Sequence, residues 1–532
     1  AVDIGDPTLV VTHLAKAGRS ARAAEEARAI AQRTRAESSS PAIVPRHASA
    51  AERFEQQKAH AKSLEAEGRA EAAEAYLQAA ALATEPVVAR EMRRRASDQL
   101  LRLGRIDDGL PLLDTILREL EMARPKAPRR ALAQLIRARA AVAEPPLEWE
   151  EREPEQLDVA QVQYTDACWT AAVGLAMVNP LIAALYSSRY LQGALKLGDP
   201  NRIARALAME LSVQTAAGRP EKERLRQVLG KLRGIARRID VPYVRGFAAL
   251  AAGLAALHEG RWTETVQCCR NAKRVLAEQC SSVDWETTTT EALAVWADAY
   301  RGRFTNLRPR LESSLGYAVA RDHAHGSTLL CVSPQANIVW LAEDDVTTAR
   351  IRLDEAASPA SVDIRLPEIW AFQSRLQLDL YRGQGVRAFR RAAMHWPRLM
   401  ASRFNRAQLN RIEALYLRAR AAIAAVREDA SQRPLLAQAR ADARRLKSER
   451  PSWSRALGML MEARIQYTLG LGGEARDLLE ESEQLLEQAD MAAHAAVAAL
   501  RRRELDTDTP SLDRLRNLGI RDPQAWAALI AP

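Results

Sequence analysis

The chain has 532 residues, 47% hydrophobic and 27% charged, which excludes a disordered tail and leaves room for several domains or one extended array. Only 5% are aromatic and Ala, Leu, Arg and Glu dominate, so helix propensity points to an almost wholly α-helical fold. A net charge of +10 admits a nucleic-acid partner, no apolar run approaches the roughly 20 residues of a membrane span, and five cysteines without a CxxC spacing suit a reducing, cytoplasmic setting.

The chain opens on Ala1 rather than Met, as expected of a processed product or a segment of something longer. Residues 1–36 are predicted to form one helical hairpin broken at Gly18-Arg19. "ESSSPAIVPR" cannot continue a helix and makes 37–50 a flexible Ser/Pro connector. Two or three hairpins are expected over 51–143, with breaks at Gly68-Arg69 and Gly104-Arg105. The stretch 144–158 carries three prolines and dense acid, and reads as a solvated loop or a docking strip for a basic partner. The main array is predicted over 159–505, with further breaks at Gly218-Arg219, Gly260-Arg261 and Gly302-Arg303. Residues 506–532 form the expected C-terminal cap, with Leu515, Leu518, Trp526, Leu529 and Ile530 covering the last hairpin.

The Gly-Arg steps have one explanation. Before Gly260, Phe247, Leu250, Leu254 and Leu257 recur at steps of three and four, and after it Val266, Cys269, Ala272 and Leu276 repeat the stripe. A glycine between two amphipathic helices supplies the left-handed residue that ends the first. Small or apolar residues return five, nine and twelve positions later: Ala73, Leu77 and Ala80 after Gly68, and Gly109, Leu113 and Ile116 after Gly104. Ala388 and Ala392 follow Gly383, and Ala475 and Leu479 follow Gly470, in the same way. The glycines are separated by 36, 42, 42, 81 and 87 residues, the last two being about two units each. A period of about 40 built from antiparallel helix pairs resembles the tetratricopeptide repeat, whose unit is shorter; the resemblance implies an all-α superhelical array of helix hairpins, an α-solenoid.

Chemistry is sparse. There is no P-loop, no H-E-x-x-H, no G-x-S-x-G and no protein-kinase pair, so no catalytic residue, cofactor or metal is assigned. Asp322, His323 and His325 in "RDHAHGS" are candidate metal ligands, but imidazoles two residues apart are common in solvent-exposed turns, and the turn is the favoured reading. Cys268 and Cys269 point about 100° apart on a helix, and Cys269 carries the apolar stripe. Trp169, Trp262, Trp285, Trp296, Trp340, Trp370, Trp396 and Trp453 could form a ligand ladder, but large side chains wedged between successive hairpins are the simpler explanation, and they are read as core. Residues 385–450 hold 16 basic and 5 acidic side chains. Within them Arg387, Arg390, Arg391, Arg398 and Arg403, interleaved with Phe389, Trp396 and Phe404, are candidates for partner binding. On a helix Phe389, Ala392, Ala393 and Trp396 share one face and the arginines the other.

Several strings, among them "DPTLVVTHLAKAGRSARAA", "EAEGRAEAAEAYLQAA", "RRRASDQLLRLGRIDDGLPLLDTIL" and the closing "GIRDPQAWAALIAP", resemble the C-terminal tetratricopeptide-like region of large bacterial signalling proteins that carry a serine/threonine kinase and an AAA or STAND-type ATPase. The pattern departs at 31–52, where the Ser/Pro connector replaces helix. The resemblance implies a non-catalytic scaffold or sensor arm that binds a partner protein or peptide, possible partners including an associated kinase, ATPase or other effector. The alternatives are a nucleic-acid-binding repeat using the basic 385–450 segment, and an enzyme with an unfamiliar site.

Overall fold

The structure, a computed structural model, describes residues 49–143, 147–218, 221–357, 364–505 and 511–532. The expected hairpin over 1–36 and nearly all of the Ser/Pro connector lie outside the described residues. Every regular element among the described residues is helical, and no strand occurs among them.

Helices α1 (Ala50–Ala66) and α2 (Ala72–Leu82) form the first hairpin, α3 (Pro86–Leu103) and α4 (Ile106–Glu119) the second, and α5 (Pro128–Ala143) precedes the acidic loop. After it come α6 (Val159–Gly174), α7 (Pro180–Leu197), α8 (Pro200–Ala216), α9 (Lys222–Arg238), α10 (Pro242–His258), α11 (Trp262–Gln279), α12 (Asp284–Tyr300) and α13 (Leu307–Ala320). A short α14 (Ala324–Ser327) and a π-helical turn (Thr328–Val332) lead into α15 (Pro334–Ala342) and α16 (Val346–Ala356). The array continues through α17 (Leu366–Tyr381), α18 (Gly385–Ala401), α19 (Gln408–Glu428), α20 (Leu435–Ser448), α21 (Ser452–Thr468), α22 (Gly472–Gln488) and α23 (Ala492–Arg503). The chain closes with α24 (Asp513–Asn517) and α25 (Pro523–Ile530).

Local chemistry places these ends. Ser49 and Glu52 form a reciprocal capping box at α1, and Asp158, Asn179, Asp199, Ser333, Asp345 and Asp522 cap later helices by accepting from amides two or three residues on. Proline at the first turn, as in α7, α8 and α10, adds a pre-set φ where no intrahelical donor is needed.

The glycine corners are real. Gly260 has φ +76°, its amide bonds to Leu257 O, and Arg261 N reaches back to Ala256 O at 2.9 Å, the paired bonds of a left-handed helix stop. Gly68, Gly104, Gly218, Gly302, Gly383 and Gly470 are likewise left-handed, with φ between +68° and +89°. The 81-residue gap between Gly302 and Gly383 is filled by Asp344, at φ +58°, whose follower Asp345 bonds back to Trp340 O at 3.0 Å. Aspartate is one of the few side chains that tolerates this conformation. From α10 onward, the first helices of successive pairs begin at 242, 284, 324, 366, 408, 452 and 492, a rise of 40 to 44 residues each time if the segment 324–342 is taken as one broken helix.

Packing follows the stripes. Phe247, Leu250 and Leu257 before Gly260, and Val266, Cys269, Ala272 and Leu276 after it, are all buried, as are Ala388, Ala392, Ala475 and Leu479. One continuous core extends from Leu101 to Ala531, with a satellite around Tyr76 and Met92 in the first hairpins. The tryptophans are wedges: Trp262 stacks on Tyr300 at 4.2 Å and meets Trp453 edge-on at 5.5 Å.

The array also folds back over itself. A Cβ on Gly104 would lie 2.6 Å from His325 N, and one on Gly302 2.7 Å from Ala493 N, so two corners are backbone contacts with helices about 190 to 220 residues later. Arg102 on α3 donates to Glu286 on α12 at 2.7 Å, and Arg301 on α12 to Asp490 at 2.6 Å. The C-terminal segment differs from the simple cap expected of it. α24 lies on α22 through Arg514 and Glu483, 3.0 Å apart, but α25 passes the last hairpin and enters the interior, where Trp526 meets Phe304 edge-on at 4.9 Å.

Candidate functional site: a buried polar chamber

The first helices of successive pairs, α12, α15, α17, α19, α21 and α23, are buried nearly all round, yet their sequences are not uniformly apolar. Their polar residues converge on a cavity of about 30 Å³, large enough for a water molecule, lined among others by Tyr300, Gln335, Gln377, Glu413, Arg420 and His494 and closed by Ile530. Tyr300 donates to Glu413 Oε1 at 2.5 Å and accepts from Gln335 Nε2 at 3.0 Å. Asn337 Nδ2 bonds to Gln377 Oε1 at 2.8 Å. Gln335 Oε1, Arg420 Nε and His494 Nδ1 are buried without a hydrogen-bond partner among the described residues. Unmatched buried polar groups are rare in folded proteins.

Electrostatics in the chamber are set by desolvation. Burial pushes the Glu413 carboxyl upward, opposed by the Tyr300 hydroxyl and the Arg420 charge. Burial takes His494 down to about 3, so its imidazole is neutral, and the Arg420 charge acts in the same direction. Arg464 falls to about 9, first through burial and then through its neighbours Arg501 and Arg427. Arg420 and Arg501 are lowered by the same desolvation.

The arginines singled out in the sequence lie elsewhere, on α18 and the turn after it. Arg387 and Arg391 flank the buried Asp379 of α17, at 3.3 and 2.7 Å. Arg398 lies 3.7 Å from Glu368, Arg390 is exposed and Arg403 half-buried. The aromatic partners are engaged too: Arg418, paired with Asp442, covers the Trp396 ring at 3.3 Å, and Phe404 is buried. Phe389 and Ala392 face inward as expected, but Ala393 is exposed, because the buried stripe of α18 is narrower than the spacing suggested.

His323 and His325 pack into an interface rather than the expected open turn, while Asp322 stays exposed in the turn, at φ +53°. His323 accepts from Gly326 N at 3.2 Å, and His325 stacks on Trp285 at 5.7 Å. Burial lowers them to about 4 and about 3. No grouping of His, Cys, Asp and Glu suited to a metal occurs among the described residues. Burial raises the Cys168, Cys269 and Cys331 thiols to about 12, the reverse of what a nucleophile needs. The acidic loop is anchored by buried Leu147 and by Glu151, which accepts from Arg238 at 2.6 Å, while most of its other described residues face solvent.

The chamber itself was not found from the sequence, because its members come from six helices spread over about 200 residues. A signal was present in α19, where Glu413, Arg418 and Arg420 interrupt a stretch whose apolar residues leave no solvent face. The chain matches no protein-family model and no curated protein. No helix among the described residues is long and apolar enough to cross a membrane.

Proposed function

We propose that this chain is a non-catalytic protein-interaction arm of a cytoplasmic bacterial signalling or effector assembly, which binds a segment of a partner on its inner, first-helix surface. The partner is a protein or peptide, and the resemblance to kinase- and ATPase-linked repeats makes such an effector the candidate. The observation that carries this reading is that the inner helices present buried polar side chains around a seated short helix, α25. Surfaces of stacked helix pairs suit recognition of helices and extended peptides. The basic 385–450 segment supports a nucleic-acid role less well, since Arg387, Arg391, Arg411, Arg418 and Lys447 are held in ion pairs with acids of the same chain.

The test is isolation of a stoichiometric native complex, followed by hydrogen exchange on the full chain. Binding should protect amides of α17, α19 and α21. Protection confined to the outer helices α18, α20 and α22, or none at all, refutes the reading.

A further inference from the structure

α25 is held differently from ordinary core packing. Its C-terminal end points into the chamber, and four successive main-chain oxygens each meet a donor. Arg420 Nη1 bonds to Leu529 O at 3.0 Å, Tyr416 OH to Ile530 O at 2.7 Å, Arg501 Nε to Ala531 O at 2.8 Å and Arg464 Nε to Pro532 O at 2.8 Å. The donors come from three helices, α19, α21 and α23. All three arginines are at least nine-tenths buried. Among side-chain carboxylates of the described residues, only Glu504, 2.7 Å from Arg501, lies within hydrogen-bond reach of the three.

Guanidinium groups removed from water without a counter-ion are costly. The C-terminal end of a helix carries about half a negative charge on carbonyls that lack an intrahelical partner. Arg420 contacts such a carbonyl, Leu529 O in the last turn, while Arg501 and Arg464 take the oxygens of Ala531 and Pro532 just past the helix. The apolar side of the same ligand, Trp526, Leu529 and Ile530, is wholly buried. The chamber thus reads two features at once: an apolar helical face and a carbonyl-rich end.

We propose that Arg420, at the chamber wall, with Arg464 and Arg501 beside it, forms a binding site for the carbonyl end of a short apolar helix, occupied in cis by Pro523–Pro532 and available to a partner helix of the same chemistry. This rests on the interaction-arm reading and adds to it the ligand class and the self-occupied state. A helix of eight residues has little stability by itself, so the segment folds as it docks and unfolds as it leaves. A tethered segment competes at an effective concentration in the millimolar range, so a partner displaces it by making further contacts along the array.

Two measurements on the full chain test this. In native-state hydrogen exchange, amides 526–531 should exchange at least about tenfold faster than those of Tyr416–Val426, because the segment opens without the rest. Equal rates mean that it leaves only when the core unfolds, and overturn the proposal. In the second, a labelled, C-terminally amidated peptide of residues 519–532 is titrated against the wild-type chain and the Trp526→Ala chain. The variant, its own segment weakened, should bind the peptide at least about tenfold tighter, and adding Arg464→Gln should abolish that gain. No gain in a Trp526→Ala chain of unchanged helicity overturns the proposal, and so does loss of its helicity, since the segment is then fixed core. If a native partner still protects α17, α19 and α21 while the peptide fails to bind, the arm reading stands and only this inference is lost.

Discussion

Gly260 and Gly383 adopt the same left-handed conformation, but their surroundings differ. A Cβ at Gly260 would overlap the Trp453 indole, whereas one at Gly383 would meet nothing within 4 Å. Gly383→Ala should therefore cost about 1 kcal/mol, the conformational penalty alone, while Gly260→Ala adds overpacking and should cost at least about 2 kcal/mol more. Urea denaturation of the two variants checks the ordering, and equal losses refute the separation of the two effects. The buried histidines make a second prediction. His258 and His323 are lowered to about 4, and His325 and His494 to about 3, each by desolvation. Below pH about 6.5 the unfolded chain takes up protons that the folded chain refuses, so stability is full above that value and falls as the pH drops toward 4. The thermal midpoint should decline between pH 7 and pH 5, ahead of the lower window in which depressed carboxylates such as Asp166 and Glu291 are protonated. His325→Phe keeps the stacking on Trp285, removes one titrating group and should make the decline shallower.

Helix pairs are the unit of the fold, and α17 with α18 shows how charge is handled within one. Asp379 is buried on α17 and receives both Arg387 and Arg391 from α18. Asp379→Asn keeps the shape and removes the charge, and should weaken the pair by about 1–3 kcal/mol, visible as faster hydrogen exchange in α18. It also frees two cations. Elution from heparin should then shift to higher salt, and an unchanged elution position would mean that the ion pairs do not restrain the basic surface. Elements of this kind were legible in the sequence: the apolar stripe around Gly260 gave α10 and α11 and the turn between them. Asp344 is not legible as a corner in a pattern of glycines, although aspartate also reaches the left-handed region. The break at Ser333-Pro334 was missed for a different reason, since the apolar pattern runs through it and only the cap and the π-helical turn reveal it.

Across the whole molecule, contacts between distant pairs tie the array together. Arg102 bridges α3 to Glu286 on α12, where Tyr243 OH also donates to the same oxygen at 2.9 Å. Glu286 has no solvent exposure, so Arg102→Met strands a buried carboxylate and should cost about 3–5 kcal/mol, whereas combining it with Glu286→Leu should recover at least half of the loss. A double-mutant cycle by thermal unfolding measures this. No recovery in the double variant would show that Arg102 acts through packing on Trp169 and Trp285 instead.

The sequence by itself determined the helical class, the pairing of neighbours and the period of about 40, because these depend on residues within one or two turns of each other and on the conformational freedom of single positions. The candidate arginines were equally local, and the ion pairs of Arg387, Arg391 and Arg398 with acids 8 to 30 residues earlier in the chain were not visible in composition. Only the tertiary structure decided which corners meet which distant helices, where the buried cations gather, and that α25 fills the chamber between them. Those features join residues from 30 to about 220 positions apart through side-chain burial and charge, and no spacing along the chain encodes such a meeting.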